Sequence, residues 1–312
     1  MSYEELLTEL SLADERFIVM TAENRALIRN LPKLLGKRFI DTGITEQTMI
    51  GAAAGLALRN RIPVVHALAS FLSKRAFEFI RTDAGIPSLP IKLSAFIPGL
   101  LSDANGPTHQ AIEDISIMRG IPNMTVFAPA DEDDMVKMML KIWASPKPAY
   151  TRINTRKTSY VHEPFEPGKA EVIEKGSDVT ILTYGLLFEQ ALIAIEMLKN
   201  EGLSVGLVNM RSLKPVDEQA ILEAVETSEL IVTLEDHFLT GGLYSIVAEV
   251  LLNHQKTARV LPFALNERWF KPSLLPAVIE HEGFSGKQIA EAILGYQTTY
   301  IQPEILKPQF AE

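Results

Sequence analysis

Residues 39–58 read FIDTGITEQTMIGAAAGLAL, and this stretch decides the fold. Phe39–Asp41 is a short strand candidate, residues 42–45 form a polar turn around Gly43, and Gln47–Arg59 is a helix of small and apolar residues. A strand that turns directly into a helix is half of a βαβ unit. The alternation continues outward in both directions. Strand candidates lie at Phe17–Thr21, Pro63–Leu68, Ile91–Phe96, Met124–Ala128 and Ala149–Ile153. Between them fall helical stretches at Lys74–Asp83, Ala111–Arg119 and Asp131–Trp143. The last opens on Asp131, Glu132, Asp133 and Asp134, acids where the helix macrodipole favours them.

Residues 154–168, NTRKTSYVHEPFEPG, break the pattern with polar residues and two prolines, which places a boundary between a domain over residues 1–160 and another over 170–312. Strands are expected again at Val179–Thr183, Val205–Asn209, Leu230–Leu234 and Arg259–Ala264. Helices are expected at Phe188–Asn200, Asp217–Thr227, Gly242–Gln255 and Ser285–Gly295. The fold class is α/β: two domains, each a mainly parallel sheet with helices on both faces.

The chain has 312 residues, 47% of them hydrophobic, enough for two packed cores and too apolar for disorder. Having no cysteine, it has no disulfides, thiolate metal sites, iron–sulfur ligands or cysteine nucleophile. With 39 acidic against 30 basic side chains, the net charge of −9 argues against a nucleic-acid partner. The apolar run Met49–Leu58 is about half of the length that spans a bilayer. The acidic start MSYEELLTEL lacks a signal peptide's basic flank. A cytoplasmic protein with no membrane association is expected.

Four places carry more than a plain core needs. Glu46 sits at a strand-to-helix turn, where functional groups of α/β sheets collect; taken alone, it reads first as an acid stabilising its own helix. In Asn105-Gly-Pro-Thr-His109-Gln110 the Gly-Pro fixes a turn, and His109 is expected to enter the next helix near its positive end, as a capping histidine or as a neutral donor or acceptor. Phe71, Phe77 and Phe79 form an aromatic stripe that ordinarily means packing. Leu234-Glu-Asp-His237, followed by Gly241-Gly242, is a glycine turn into a helix that suits an anion. Neither GxGxxG nor GxxxxGK[ST] occurs, which disfavours dinucleotide-binding dehydrogenases and P-loop NTPases. His66, His162, His254 and His281 show no metal-ligand spacing and read as structural or exposed.

In order and spacing, these segments resemble the second half of transketolase. Gly43-Ile-Thr-Glu46-Gln47 before a small-residue helix is similar to the family's glutamate motif. Asp103-Ala-Asn-Gly-Pro-Thr-His-Gln110, Arg119-Gly-Ile-Pro-Asn-Met and Ala128-Pro-Ala-Asp131 resemble its substrate loop and following strand, and Leu234–His237 with Gly241-Gly-Leu243 its C-terminal domain. The resemblance implies a pyrimidine-binding domain, a C-terminal domain and thiamine diphosphate chemistry. It makes Glu46 the carboxyl that drives the cofactor's aminopyrimidine toward its imino form. Phe71 and Phe77 become the ring's wall, with the choice of stacking residue left open by a one-residue slip around Lys74–Arg75. His109 and Asn105 become contacts to the sugar, and Arg152 a ligand of the substrate phosphate.

The diphosphate-binding domain of the family carries Gly-Asp-Gly, and this sequence has none. The resemblance therefore implies that thiamine diphosphate and its Mg²⁺ (or Ca²⁺) are completed by a separate N-terminal transketolase subunit, in an α2β2 assembly acting on sugar phosphates, with no metal ligands in this chain. Two departures stand out. Asn105 replaces the usual aspartate, and Ser94-Ala-Phe-Ile-Pro98 lacks the histidine that opens the loop. Both bear on the donor sugar. The main alternative is the beta subunit of a 2-oxo acid dehydrogenase E1 component, against which GPTHQ weighs.

Overall fold

The computed structural model describes residues 1–158 and 160–301. Its strands in the first half are β1 (Phe17–Thr21), β2 (Phe39–Asp41), β3 (Ile62–Leu68), β4 (Lys92–Phe96), β5 (Thr125–Phe127) and β6 (Ala149–Arg152). The second half contributes β7 (Glu171–Glu174), β8 (Val179–Thr183), β9 (Val205–Asn209), β10 (Ser212–Lys214), β11 (Leu230–Phe238) and β12 (Val260–Leu265). One sheet has the order β10-β5-β6-β4-β3-β1-β2 and the other β12-β11-β8-β9-β7. Every pairing is parallel except β10 with β5 and β7 with β9. The expected α/β architecture is present in both halves.

The parallel strands are apolar at consecutive positions because helices cover both faces of each sheet. All five residues of β1 are buried, as are all five of β4 and of β8. Helix Glu132–Ala144 starts where its acids announce it, with the Asp131 side chain accepting from the Asp134 N–H at 2.9 Å. An N-terminal helix, Tyr3–Ala13, absent from the sequence reading, carries a full capping box between Ser2 and Glu5. Its Tyr3 hydroxyl lies 2.8 Å from His66 Nε2 and 2.8 Å from Ser94 Oγ, so His66 is a satisfied core histidine. Among the described residues no helix is long and apolar enough to cross a membrane.

The two sheets are not independent. β10 belongs to the second half of the chain yet forms the edge of the first sheet. Beside it, a buried polar cluster joins the halves. His162 Nδ1 lies 2.7 Å from Glu171 Oε2, and its Nε2 lies 3.2 Å from Asp131 Oδ2. Arg211 reaches Asp134 at 2.8 Å, and Asn209 donates to both Asp134 and Glu171 at 3.1 Å. Asp134, His162 and Glu171 present ligand atoms within 4.8 Å of one another, but the Arg211 guanidinium already supplies a cation there.

Burial opposes protonation of His162, and its contacts with Asp131 and Glu171 outweigh that effect, raising its pKa to about 9. A raised folded-state pKa contributes stability that is complete below the ordinary pKa of 6.5 and lost as pH rises through 9. Lys92, pushed down to about 7 by burial, acts with the opposite sign over part of this range, so the informative quantity is a difference between variants. The wild-type chain should lose on the order of 2–3 kcal/mol relative to His162→Gln between pH 6.5 and 9.5, read from urea midpoints; parallel curves would contradict the assignment.

Candidate active site

Strands β4, β3, β1 and β2 stand side by side and parallel, and the segments leaving their carboxyl ends meet in one crevice, where open α/β sheets bind ligands. Residues Ala22, Glu23 and Asn24 follow β1, Ile44 and Glu46 follow β2, and Leu68 and Phe71 close β3 and follow it. Together they line a cavity of about 400 Å³. Glu46 is the first residue of helix Glu46–Leu58 and is 1% exposed. The helix can turn its small residues Ala53, Ala54 and Ala57 inward beneath it, while Thr48, Gly51, Ala52 and Gly55 stay exposed.

The Glu46 carboxylate is bonded through Oε2 to Arg75 Nη1 at 2.9 Å, and the Arg75 guanidinium carbon sits 4.1 Å from the Phe71 ring centroid. Both Phe71 and Arg75 lie on a π-turn, residues Phe71–Arg75, closed by the Ala76 N–H on the Phe71 carbonyl at 3.0 Å. Such a turn holds one residue more than an α-helical turn and is common at functional sites. It resolves which phenylalanine faces the cavity. Phe71 lines it, whereas Phe77, expected as a second wall, packs against the core around Met49 and Ile50.

His109 reaches the same place, its ring centroid 5.2 Å from that of Phe71 and its Nδ1 2.9 Å from Thr108 Oγ1. It does not enter a helix as expected. The helix begins only at Asp114, and His109 sits in a turn closed by its own N–H on Gly106 O at 3.0 Å. Gly-Pro explains the difference, because the backbone it fixes at Gly106 has φ +82. Asn105 ends the 3₁₀ segment Leu100–Asn105 and is exposed. Ahead of it Ile97 takes φ +46, a strained choice for a β-branched residue, at the end of β4 where the loop turns into the crevice.

Arg152 is not where a phosphate could meet it. It is 3% exposed, with Nε 3.0 Å from Asp114 and Nη1 2.5 Å from Asp236, and its Nη2 donates to the carbonyls of Ala111 and Asp236. Burial opposes its charge, but Asp114 and Asp236 outweigh burial and hold its pKa well above the ordinary value. The expected phosphate ligand is thus an interdomain clasp. Gly99 makes the close approach possible, since a Cβ there would fall 1.8 Å from Asp236 Oδ2.

The glycine turn at Gly241-Gly242 also has a different occupant. The N–H groups of Leu243 and Tyr244 are bonded by Glu235 Oε2 and Oε1 at 2.6 and 2.9 Å, so the anion on this helix end is the chain's own carboxylate. A Cβ on Gly242 would lie 1.9 Å from it. Burial raises the Glu235 pKa to about 7 against the pull of those two N–H bonds.

The sequence matches the family described as "Transketolase, pyrimidine binding domain" over residues 1–160 and "Transketolase, C-terminal domain" over 168–289. The chain belongs to the transketolase family. It is 34% identical over 299 residues to a Methanocaldococcus jannaschii protein described as "Putative transketolase C-terminal section", covering 94% of each. It is 34% identical over 255 residues to a 6-deoxy-6-sulfo-D-fructose transketolase subunit of Clostridium sp. (strain MSTE9), covering 80% of this chain and 79% of that one. Among solved structures it is similar to one described as "Split gene transketolase, inactive beta4 tetramer", with TM-score 0.86, 34% identity and coverage of 95% and 97%.

Replacing Arg152 with Met removes the charge that balances two buried carboxylates, so unfolding free energy should fall by about 3–5 kcal/mol. A chemical denaturation curve measures this; a loss below about 1 kcal/mol would mean that Arg152 is not the clasp.

Proposed function

We propose that this chain is the C-terminal subunit of a split transketolase, transferring a two-carbon ketol unit from a ketose phosphate to an aldose phosphate. The observation that carries the reading is the convergence of the Glu46 carboxylate, the Phe71 ring and the His109 ring at the carboxyl ends of adjacent parallel strands. The site fits the pyrimidine half of thiamine diphosphate: one aromatic face for stacking and one buried carboxyl, beside a cavity of about 400 Å³. When bound, the cofactor supplies a carbanion at its thiazolium ring. Glu46 would hold the ring nitrogen and set the tautomer on which that carbanion depends. Phe71 would fix the plane of the ring. His109 and Asn105 would meet the oxygen functions of the sugar; an amide both donates and accepts, so Asn105 reads a hydroxyl pattern that a carboxylate would not.

The diphosphate, its divalent ion and the groups that hold them belong in this reading to a partner subunit, since the chain carries no Gly-Asp-Gly. The names of its relatives, a C-terminal section and a transketolase subunit, support that division, as does the description of a similar protein as inactive in a tetramer of one chain type. In this reading the assembly is α2β2, with two copies of each kind of subunit. The exposed face of helix Glu46–Leu58 leaves room for a neighbour. With Arg152 engaged inside the protein, the substrate phosphate falls to other groups.

Glu46→Gln, which keeps shape and removes the acid, should lower kcat of the reconstituted complex with a ketose phosphate donor by at least about 100-fold and leave the far-ultraviolet circular dichroism unchanged. Turnover within a few-fold of wild type would remove Glu46 from the mechanism.

A further inference from the structure

We propose that Arg75 is a positioning residue that fixes Glu46 and Phe71 together, so that the carboxylate and the aromatic face meet a pyrimidine ring in one geometry. This rests on the cofactor reading above and adds a residue that neither the motif nor the family resemblance singled out.

One guanidinium contacts both groups at once. Nη1 bonds Glu46 Oε2 at 2.9 Å, while the guanidinium carbon lies over Phe71 at 4.1 Å. A guanidinium is planar, always charged and able to bond a carboxylate at its edge while stacking by its face, a combination no ammonium provides. The contact leaves Glu46 half free. Among the described residues Oε1 has no hydrogen-bond partner, yet it is not among the sealed, unpaired polar atoms. Glu46 and Phe71 both line the cavity and Arg75 does not. Arg75 therefore holds two cavity-lining groups without lining the cavity itself, and leaves one Glu46 oxygen unbonded.

The backbone is shaped for this contact. Phe71 and Arg75 are four residues apart on the same turn, a spacing at which helical side chains are neighbours. Arg75 is 38% exposed along its side chain and Glu46 is 2% exposed along its own, so the pair lies at the boundary between solvent and site. Neither group needs Arg75 for the fold: Glu46 begins a long helix, and Phe71 follows a seven-residue strand. What Arg75 adds is the fixed angle between them. A carboxylate free to rotate and a ring free to turn would each have to be ordered when the cofactor binds.

The test titrates thiamine diphosphate with Mg²⁺ into the complex of this chain and its diphosphate-binding partner, read by calorimetry. Arg75→Ala should weaken binding about tenfold, and Arg75→Lys, which restores charge without the plane, should recover only part of that loss. Ethylguanidinium at millimolar concentration should rescue Arg75→Ala and leave the unsubstituted complex unchanged, a result that a merely structural defect would not give. Unaltered affinity in Arg75→Ala overturns the proposal. Tighter binding also overturns it, because Arg75 would then be occupying the ring's own place. A wild-type complex that binds no thiamine diphosphate would instead overturn the cofactor reading, and this inference with it.

Discussion

The structure depends on one buried cation. Arg152 stands at the end of β6 between Asp114 of the first domain and Asp236 of the second, all three sealed from water. Two carboxylates that close together are unfavourable without the guanidinium, and the guanidinium is unfavourable without them. The group is therefore stable only as a set. That set also fixes the loop after β4: Asp236 accepts from the Leu100 N–H at 3.2 Å, and Arg152 donates to Ala111 O at 3.3 Å. Between those two anchors run residues 101–110, which carry Asn105 and His109. The C-terminal domain thus shapes the site without lining the cavity around Glu46. It does so again where Gln110 donates to Phe270 O at 2.8 Å and where the Leu275 N–H reaches Asp103 at 3.2 Å.

Charge is managed in the same way at two other places, one between the domains and one inside the second. Around His162, three carboxylates face a histidinium and an arginine, and at the start of helix Leu243–Asn253 the Glu235 carboxyl fills the turn with its own oxygens. Each place looks like a ligand site from its residue types. In each, the chain's own groups already supply the opposite charge or the donors. Glu46 is buried and beside a cavity, and its Oε1 has no hydrogen-bond partner among the described residues, a contrast that separates the candidate catalytic acid from these structural ones.

Much of the fold was legible because parallel strands buried on both faces are short apolar runs. β1, β2, β8 and β9 begin and end where the sequence places them. The antiparallel strands β7 and β10 were not legible: Glu171–Glu174 is half polar with no strict alternation, and Ser212–Lys214 is only three residues, paired far from its neighbours in sequence. Helix Tyr3–Ala13 was missed although Ser2 and Glu5 carry the spacing of a capping box. At the site, Glu46, Phe71 and His109 come together, and Phe77 does not. The π-turn that separates the two phenylalanines leaves no mark on periodicity. The role of Arg152 was also hidden, because its second partner, Asp236, is 84 residues away. Arg75 gave no motif signal; only its distance from two other side chains marks it.

The central claim is that the chain carries the pyrimidine side of a thiamine diphosphate site and needs a second subunit for the rest. The most direct measurement is a titration of thiamine diphosphate and Mg²⁺ into this chain alone, into a Gly-Asp-Gly-bearing partner alone, and into their equimolar mixture, with ketol transfer assayed in each. Saturable binding and turnover confined to the mixture is the predicted result. Tight binding with turnover by the isolated chain would contradict the account.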